Sequence, residues 1–187
     1  MDSKLQIISG AYRGRKLNLP RGARPTQNLA RGAIFNMLMG ICYNRQKITV
    51  WDAFAGSGAL GIETLSRFPN ATVIFTDVLD ESVKTIRKNT EKIAANRFSI
   101  IMSDASQVIK KYGNLSDLVF VDPPYANPEL GINFVKKLAT VARAGAIVVQ
   151  EIEASVPYLP DETKWEILRD KKYGRARFVI LRRNNNK

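Results

Sequence analysis

The chain reads as an α/β protein: a largely parallel sheet, covered by helices on both faces and closed by an antiparallel hairpin. Three observations predict this. From Ile48 onward, short apolar runs alternate with segments of helical period, the pattern of right-handed crossovers in a parallel sheet. The first run, ITVWDAF, leads into Gly56, Gly58 and Gly61, a G-x-G-x-x-G turn between a strand and a helix. The last two apolar runs, 165–168 and 178–181, are joined through Tyr173-Gly174 and read as a hairpin, which such a sheet can carry at its edge.

The elements follow in order. Residues 4–20 read as two short extended runs around Gly10–Gly14, with Leu17 and Leu19 alternating with polar partners. Residues 21–25 form a basic loop, and Pro25 biases Arg24 toward an extended backbone. Thr26 is a candidate N-cap for a helix to about Tyr43, with Leu29, Ala33, Phe35, Leu38 and Met39 as its apolar positions. Strands are then expected at 48–54, 72–76, 98–102, 118–121 and 146–150. Helices are expected at 59–67, 80–95, just after Asp104, and at 129–142. The tail from Arg182 to Lys187 is expected to fray.

Length fits one domain: 187 residues against a prior of about 100–200 per domain. The expected division is a basic hairpin and helix extension at 1–47, a catalytic core at 48–183 and a tail at 184–187. Histidine is absent, which excludes Ser-His-Asp and Cys-His catalysis, His-ligated zinc and a histidine base. No metal is expected. Cys42 is the single cysteine, so no intrachain disulfide forms, in keeping with a cytoplasmic location. No run approaches the ~18 apolar residues of a membrane span, and residues 1–10 have no signal-peptide core. With no long exposed apolar face in the pattern, a monomer is expected.

Charge is segregated. Residues 1–47 carry +8, residues 48–163 carry −3 and residues 164–187 carry +7, for a net +12. A slightly acidic centre between basic ends suits a ligand-binding core whose margins grip a polyanion, so nucleic acid is the expected partner.

The glycine turn lets the backbone approach a ligand at a helix N-terminus. Asp77 lies 21 residues beyond Gly56, at a strand end where a carboxylate can accept both hydroxyls of a ribose. Together these point to a nucleoside-containing cofactor. Asp52 ends an otherwise apolar strand and needs a donor. The amino group of a methionine moiety is one candidate, whereas a pyrophosphate would be repelled; backbone N–H groups of the loop are the other. Asp104 either accepts from an adenine amine or caps the following helix.

Asp122-Pro123-Pro124-Tyr125 is the most specific signal. It follows an apolar strand, at the edge where open α/β sheets place their chemistry. Two prolines fix φ and remove two donors, leaving the Asp122 carboxylate and the Pro123 carbonyl as rigidly held acceptors. Such a pair suits a planar exocyclic NH2: held by both hydrogens, its nitrogen aims a lone pair at an electrophilic methyl. Tyr125 can stack on a base taken out of its helix.

FAGSGALGIE followed by DPPY resembles class I S-adenosylmethionine-dependent methyltransferases acting on amino nitrogens. Tyr12–Leu17 (YRGRKL), Arg24–Thr26 (RPT) and Arg31–Leu38 (RGAIFNML) are similar to the RsmD family of bacterial small-subunit (16S) ribosomal RNA guanine-N2 methyltransferases, and the likeness runs from about Ile7 to Leu181. It implies a Rossmann-like, seven-stranded, mostly parallel sheet with an N-terminal hairpin, S-adenosylmethionine as methyl donor, and one guanine N2 of ribosomal RNA, assembled with ribosomal proteins, as acceptor. Carried over by position, the loop Phe54, Ala55, Gly56, Ser57 and Gly58 holds the methionine part. Asp77 with Val78 holds the ribose, Asp104 with Ala105 the adenine, and Asp122–Tyr125 the guanine amine. Arg13, Arg15, Lys16, Arg21, Arg24 and Arg31 would contact phosphates, with Arg24 and Thr26 beside the cleft. Asp77 stands where many members carry Glu. A DNA adenine-N6 methyltransferase is the alternative on the same motif, although 187 residues leave little room for a DNA-recognition domain. A nicotinamide-dependent oxidoreductase would leave DPPY and the basic N-terminus unexplained, and a non-enzymatic RNA-binding module would leave Asp122 and the glycine loop without a use.

Overall fold

A computed structural model describes residues 5–21, 28–42 and 47–185. The described residues form one seven-stranded sheet with the order β3-β2-β1-β4-β5-β7-β6. Its strands are β1 (Ile48–Asp52), β2 (Ala71–Asp77), β3 (Phe98–Met102), β4 (Leu118–Val121), β5 (Ile147–Glu153), β6 (Trp165–Tyr173) and β7 (Ala176–Arg183). The first five run parallel, while β7 is antiparallel to both β5 and β6. The helices are α1 (Asn28–Ile41), α2 (Ala59–Arg67), α3 (Asp80–Thr90), α4 (Ala105–Leu115) and α5 (Pro128–Leu138). After β1 the chain winds outward through β2 to β3, then returns to β4 on the other side of β1. The carboxyl ends of β1 and β4 therefore flank the topological switch point, where such sheets open a ligand crevice.

Each sheet face has its own apolar layer. On one, Phe35, Leu38, Ile62, Leu65 and Ile86 of α1, α2 and α3 pack on Val50, Val73, Phe75 and Phe120. On the other, Ile109, Phe134 and Leu138 of α4 and α5 pack on Trp51, Val119 and Val148. The buried stripe of α1 is Ala30, Ile34, Phe35 and Leu38, a regular helical spacing. Leu29 and Met39, expected on that stripe, are exposed, because they lie about a quarter-turn or more away from its centre.

The remaining differences from expectation are at element ends. Helix α3 stops at Thr90, five residues short of the expected end. Residues 5–17 make a hairpin-like turn with a single isolated bridge, Gln6 to Lys16, supported by Ile7 N–H to Arg15 O at 2.9 Å and Leu17 N–H to Leu5 O at 3.0 Å. The terminal hairpin is longer than its apolar runs. β6 is an edge strand whose exposed positions carry Arg169, Lys171 and Lys172, which hide the strand period but discourage edge pairing. Nor does the chain fray at Arg182: Arg183 ends β7 and is buried, donating to Ala139 O at 3.0 Å and Lys164 O at 3.2 Å. No helix among the described residues is long and apolar enough to cross a membrane.

Candidate active site at the carboxyl edge of the sheet

The glycine loop leaves β1 and turns into α2 at Gly58, whose φ of 77° is the left-handed conformation that glycine adopts without a Cβ clash. Each neighbouring strand-end acid is bound to backbone N–H groups. Asp52 is 1% exposed, and its Oδ2 accepts from Gly61 N at 3.0 Å. Burial pushes its carboxyl up to about 7, with the Gly61 N–H acting against that and Asp77 adding to it. Asp77 Oδ2 accepts from Gly56 N at 2.8 Å and Oδ1 from Leu79 N at 2.9 Å, so it ties the loop to the end of β2. Asp104 caps α4 through Ser106 N at 2.7 Å, with Ala105 buried as the first helical residue.

Of the two readings open for Asp52 and for Asp104, the backbone partner is thus present in both. It leaves acceptor capacity over, because an ionised carboxylate has about four lone-pair sites. The Ser57 carbonyl accepts from Asn89 at 2.9 Å, which anchors the loop to α3. Ala55 N donates to Thr76 O at 3.0 Å, and Phe54 packs edge-on against Phe134 with centroids 5.2 Å apart. Around Asp77 and Asp104, Val78, Leu79 and Met102 are exposed at 67%, 61% and 61%, an apolar rim at the ends of β2 and β3.

Across the switch point, β4 ends and the chain turns through Asp122-Pro123-Pro124-Tyr125. Pro123 is buried and Pro124 exposed. Helix α5 passes so near that a Cβ on Gly131 would stand 2.8 Å from Pro123 Cγ, so a bare glycine is what lets the helix brace the turn. Tyr125 donates its hydroxyl to Glu151 Oε1 in a short hydrogen bond. Glu151 lies on β5 beside Asp122, since the register pairs Val121 with Gln150. Burial first, and then the Glu151 carboxylate, push the Tyr125 hydroxyl well above its ordinary value, so it stays a donor. A small recess is lined here by Pro123, Pro124, Tyr125, Pro128, Glu151 and Glu153.

The basic residues separate into four groups. Arg13 and Arg15 line an open cleft of about 580 Å³ together with Tyr12, Gly14 and Lys92, with Lys16 exposed next in the chain. Tyr12 N donates to Ser66 Oγ at 2.9 Å, near the end of α2 and hence at the amino edge of the sheet. Arg21 is exposed, and its N–H donates to Glu81 at 2.8 Å on the first turn of α3, back at the carboxyl edge. Arg24 and Thr26 lie outside the described residues. Arg31 is a correction. It is 0% exposed, its guanidinium bound to the Gln6 carbonyl and 3.8 Å from Glu63, so it holds the N-terminal segment to α1 and α2 instead of facing a phosphate. Glu63 completes that junction, accepting from Ile8 N at 2.8 Å, Ser9 N at 3.1 Å and Arg67 at 2.6 Å.

Sequence reasoning left Glu151 without a role and did not single out Lys92, Asn89 or Glu63. The register of two sequence-distant strands brings Glu151 to the turn, and no spacing rule reaches across it.

A family model described as conserved hypothetical protein 95 matches residues 5–182. Ribosomal RNA small subunit methyltransferase D of Escherichia coli is 32% identical, covering 96% of this chain and 90% of its own length. The protein of the same name from Haemophilus influenzae is 29% identical over 91% of this chain and 90% of its own. The solved structure of yhhF from Escherichia coli superposes with a TM-score of 0.79 at 31% identity, covering 97% of this chain and 98% of that one. The rRNA methyltransferase aviRa of Streptomyces viridochromogenes shares the fold at a TM-score of 0.67 and 17% identity, covering 89% and 88%. A glycine loop and an acidic Pro-Pro turn thus face each other across the switch point of a chain that matches these proteins over nearly its whole length, and the chain belongs to the RsmD family of methyltransferases.

Proposed function

We propose that this protein transfers a methyl group from S-adenosylmethionine to the exocyclic N2 amine of a guanine in small-subunit ribosomal RNA, in the cytoplasm. The observation that carries the reading is the buttressed Asp122–Tyr125 turn at the carboxyl end of β4, across the switch point from the glycine loop. The likeness to ribosomal RNA small subunit methyltransferase D supports the choice of RNA.

The cofactor fits what the chain offers. The position where a Gly56 Cβ would stand has nothing within 4 Å, room for a ligand against the loop backbone. The exposed Val78, Leu79 and Met102 offer an apolar bed for a planar base beside Asp104, and Asp77 has acceptor sites left for ribose hydroxyls. Asp52, buried and short of donors, suits an ammonium. S-adenosylmethionine supplies a methyl on a cationic sulfur, which a neutral amine can displace.

The protein's own part is positioning. Asp122 and the Pro123 carbonyl accept the two amine hydrogens, so the nitrogen lone pair is directed at the methyl. The bond from N2 to carbon forms as the carbon–sulfur bond breaks, and the electron pair stays on sulfur. The proton shed by N2 passes to Asp122 and then to water. Tyr125, its hydroxyl anchored to Glu151, presents its ring to the extruded base. Arg13, Arg15, Lys16, Arg21 and Lys92 hold phosphates, and the family resemblance gives Arg24 and Thr26 a part in the same RNA contact.

Nucleoside mass spectrometry tests the reading. Isotope-labelled S-adenosylmethionine and protein are offered to unmodified small-subunit particles, naked ribosomal RNA and genomic DNA. Labelled N2-methylguanine from particles or RNA is expected. Labelled N6-methyladenine from DNA would instead make the amine right and the polymer wrong.

A further inference from the structure

Of the two basic ends of the chain, the proposed reaction uses only the first. The second, +7 over residues 164–187, lies on the β6–β7 hairpin and has no part in it so far. Between 169 and 177, Arg169, Lys171, Lys172, Arg175 and Arg177 stand against a single acid, Asp170. Asp170 is already held by Arg177 at 2.7 Å. Arg169, Lys171 and Lys172 are exposed and join no ion pair among the described residues.

The fold carries this charge to the reacting edge. β7 is antiparallel to both β5 and β6, so β6 runs the same way as β5 and ends on the side of Asp122. Tyr173 pairs with Ala176 and Ala176 with Glu153, which leaves Gly174 and Arg175 as a two-residue turn beside the end of β5. Gly174 has the positive φ, 59°, that such a turn takes at its first position, and Tyr173 packs edge-on against Phe178 with centroids 6.1 Å apart, so the tip is held in place. Arg175 reaches Glu153 at 2.7 Å, and Glu153 lines the recess that contains Tyr125. From β4 to β6 is three strand spacings, roughly 14 Å. Lys171 lies opposite Phe178 and Lys172 opposite Arg177, so the two lysines leave opposite faces and the charge wraps around the edge. Protection of an edge strand accounts for charge along β6 but not for Arg175 beyond its end. An added strand from another protein is a poor fit, since the register shifts between Ile167 and Arg169.

We propose that the tip of the β6–β7 hairpin, through Lys171, Lys172 and Arg175, is a second phosphate-binding wall for the RNA, on the far side of Tyr125 from Arg21. The nucleotide presented at Tyr125 is then held by its backbone on both flanks: by Arg21 at the first turn of α3 on one side, and by the hairpin tip on the other. Arg175 is largely exposed in its ion pair with Glu153, and exposed pairs hold weakly, so a phosphate can take the guanidinium over. Its planar fork matches two phosphate oxygens, and the rigid turn aims it. The lysines add charge without reading sequence, so they position the strand and do not select it. The inference rests on the reading of this edge as the site of methyl transfer to RNA.

The test measures binding of small-subunit ribosomal RNA against salt for wild type, for Lys171→Gln with Lys172→Gln, and for Lys171→Glu with Lys172→Glu. Lys136→Glu with Lys137→Glu, in the last turn of α5 and so at the opposite edge of the sheet, makes the same change of charge elsewhere. Glutamate keeps the edge strand charged, so a purely protective role survives it, whereas a phosphate contact does not. The Gln pair is expected to lower the slope of log affinity against log salt by about 1.4–1.8 units, the share of two contacts, and the Glu pair to weaken binding roughly tenfold or more. Arg175→Ala is expected to lower the slope by close to one unit. The α5 pair is expected to bind as wild type does, and S-adenosylmethionine affinity and the thermal midpoint to hold in every variant. Hairpin variants with wild-type slope and affinity would overturn the proposal, as would an α5 pair that weakens binding equally, since net charge alone would then account for the effect. Either result beside methyl transfer by wild type leaves the proposed function standing without the hairpin. RNA binding weakened only by the hairpin variants, with no methyl transfer by wild type to any RNA, would sink the proposed function and leave the hairpin grip standing.

Discussion

The two halves of the carboxyl edge hold their acids in different ways. On the β1, β2 and β3 side, Asp52, Asp77 and Asp104 are each bound to backbone N–H groups of the loop or helix start they adjoin. On the β4 and β5 side, Glu151 holds Tyr125 by a side-chain hydrogen bond, and Asp122 follows the end of the neighbouring strand beside it. A carboxylate that organises backbone shapes a loop, so its loss is felt in stability and in what the loop binds. A carboxylate held by other side chains shapes only a reacting geometry, so its loss is felt in rate. The comparison breaks if mutations on the two sides have the same signature.

The largest expected effect is on the β4 side. Asp122→Ala should raise the barrier to methyl transfer by about 2–4 kcal/mol, the scale of one preorganised polar group. Affinity for S-adenosylmethionine and the thermal midpoint should change little, since the loop on the other side is untouched. Single-turnover rates with labelled cofactor decide it, and a rate within threefold of wild type would remove Asp122 from its role.

Asp52 gives the opposite signature. Its carboxyl is pushed up to about 7 in the folded chain from 3.8, so over that range the folded state binds more protons than the unfolded one. The contribution is fully present below about pH 4 and is lost as pH rises through 7. Asp52→Asn, which can still accept from Gly61 N, should therefore stabilise the cofactor-free protein at pH 8 by roughly 2–4 kcal/mol and flatten its stability between pH 5 and 8. It should also weaken cofactor binding, because a buried negative charge awaiting an ammonium is gone. Denaturant unfolding at several pH values checks the first expectation and calorimetric titration the second.

Gly61→Ala sharpens the comparison from the backbone. A Cβ there would stand 2.1 Å from Phe75 Cε1 and 2.9 Å from Val73 Cγ1, in the layer that seats α2 on the sheet. Overpacking should cost about 1–3 kcal/mol and move the N–H that Asp52 accepts, lowering both the thermal midpoint and cofactor affinity.

The same division explains what could be read from sequence. Asp104 and Ser106 are two residues apart, as are Asp77 and Leu79, and Asp52 and Gly61 span one strand-to-helix turn. Such contacts are local, and turn chemistry makes them legible. Tyr125 and Glu151 are 26 residues apart and meet only because β4 and β5 are neighbours in register, so no local spacing in the sequence pairs them. Arg31 was misread for a related reason. Its charge is visible in sequence, but Glu63, the group that buries it, lies on another helix and is brought there by the fold. The expected strands survive because buried parallel strands are continuous apolar runs. β6 was read short because an edge strand protects itself with charges where a period of two would otherwise show.

The smallest expected effect concerns how far the RNA extends. The cleft of Arg13, Arg15 and Lys92 lies by the end of α2, at the edge of the sheet away from Asp122, while Arg21 returns to the reacting edge beside the first turn of α3. An RNA that places a base at Tyr125 and also fills that cleft must therefore run along the α3 side of the molecule. Each phosphate contact contributes about 0.7–0.9 to the slope of log affinity against log salt. Arg13→Ala and Lys92→Ala should each lower that slope by close to one unit, with the single-turnover rate at saturating RNA and low salt preserved. Arg31→Ala should instead lower the thermal midpoint, because it leaves Glu63 with one cation fewer inside the protein. If Arg13→Ala and Lys92→Ala leave the slope unchanged, the RNA keeps to the carboxyl edge and the amino-edge cleft lies outside its footprint.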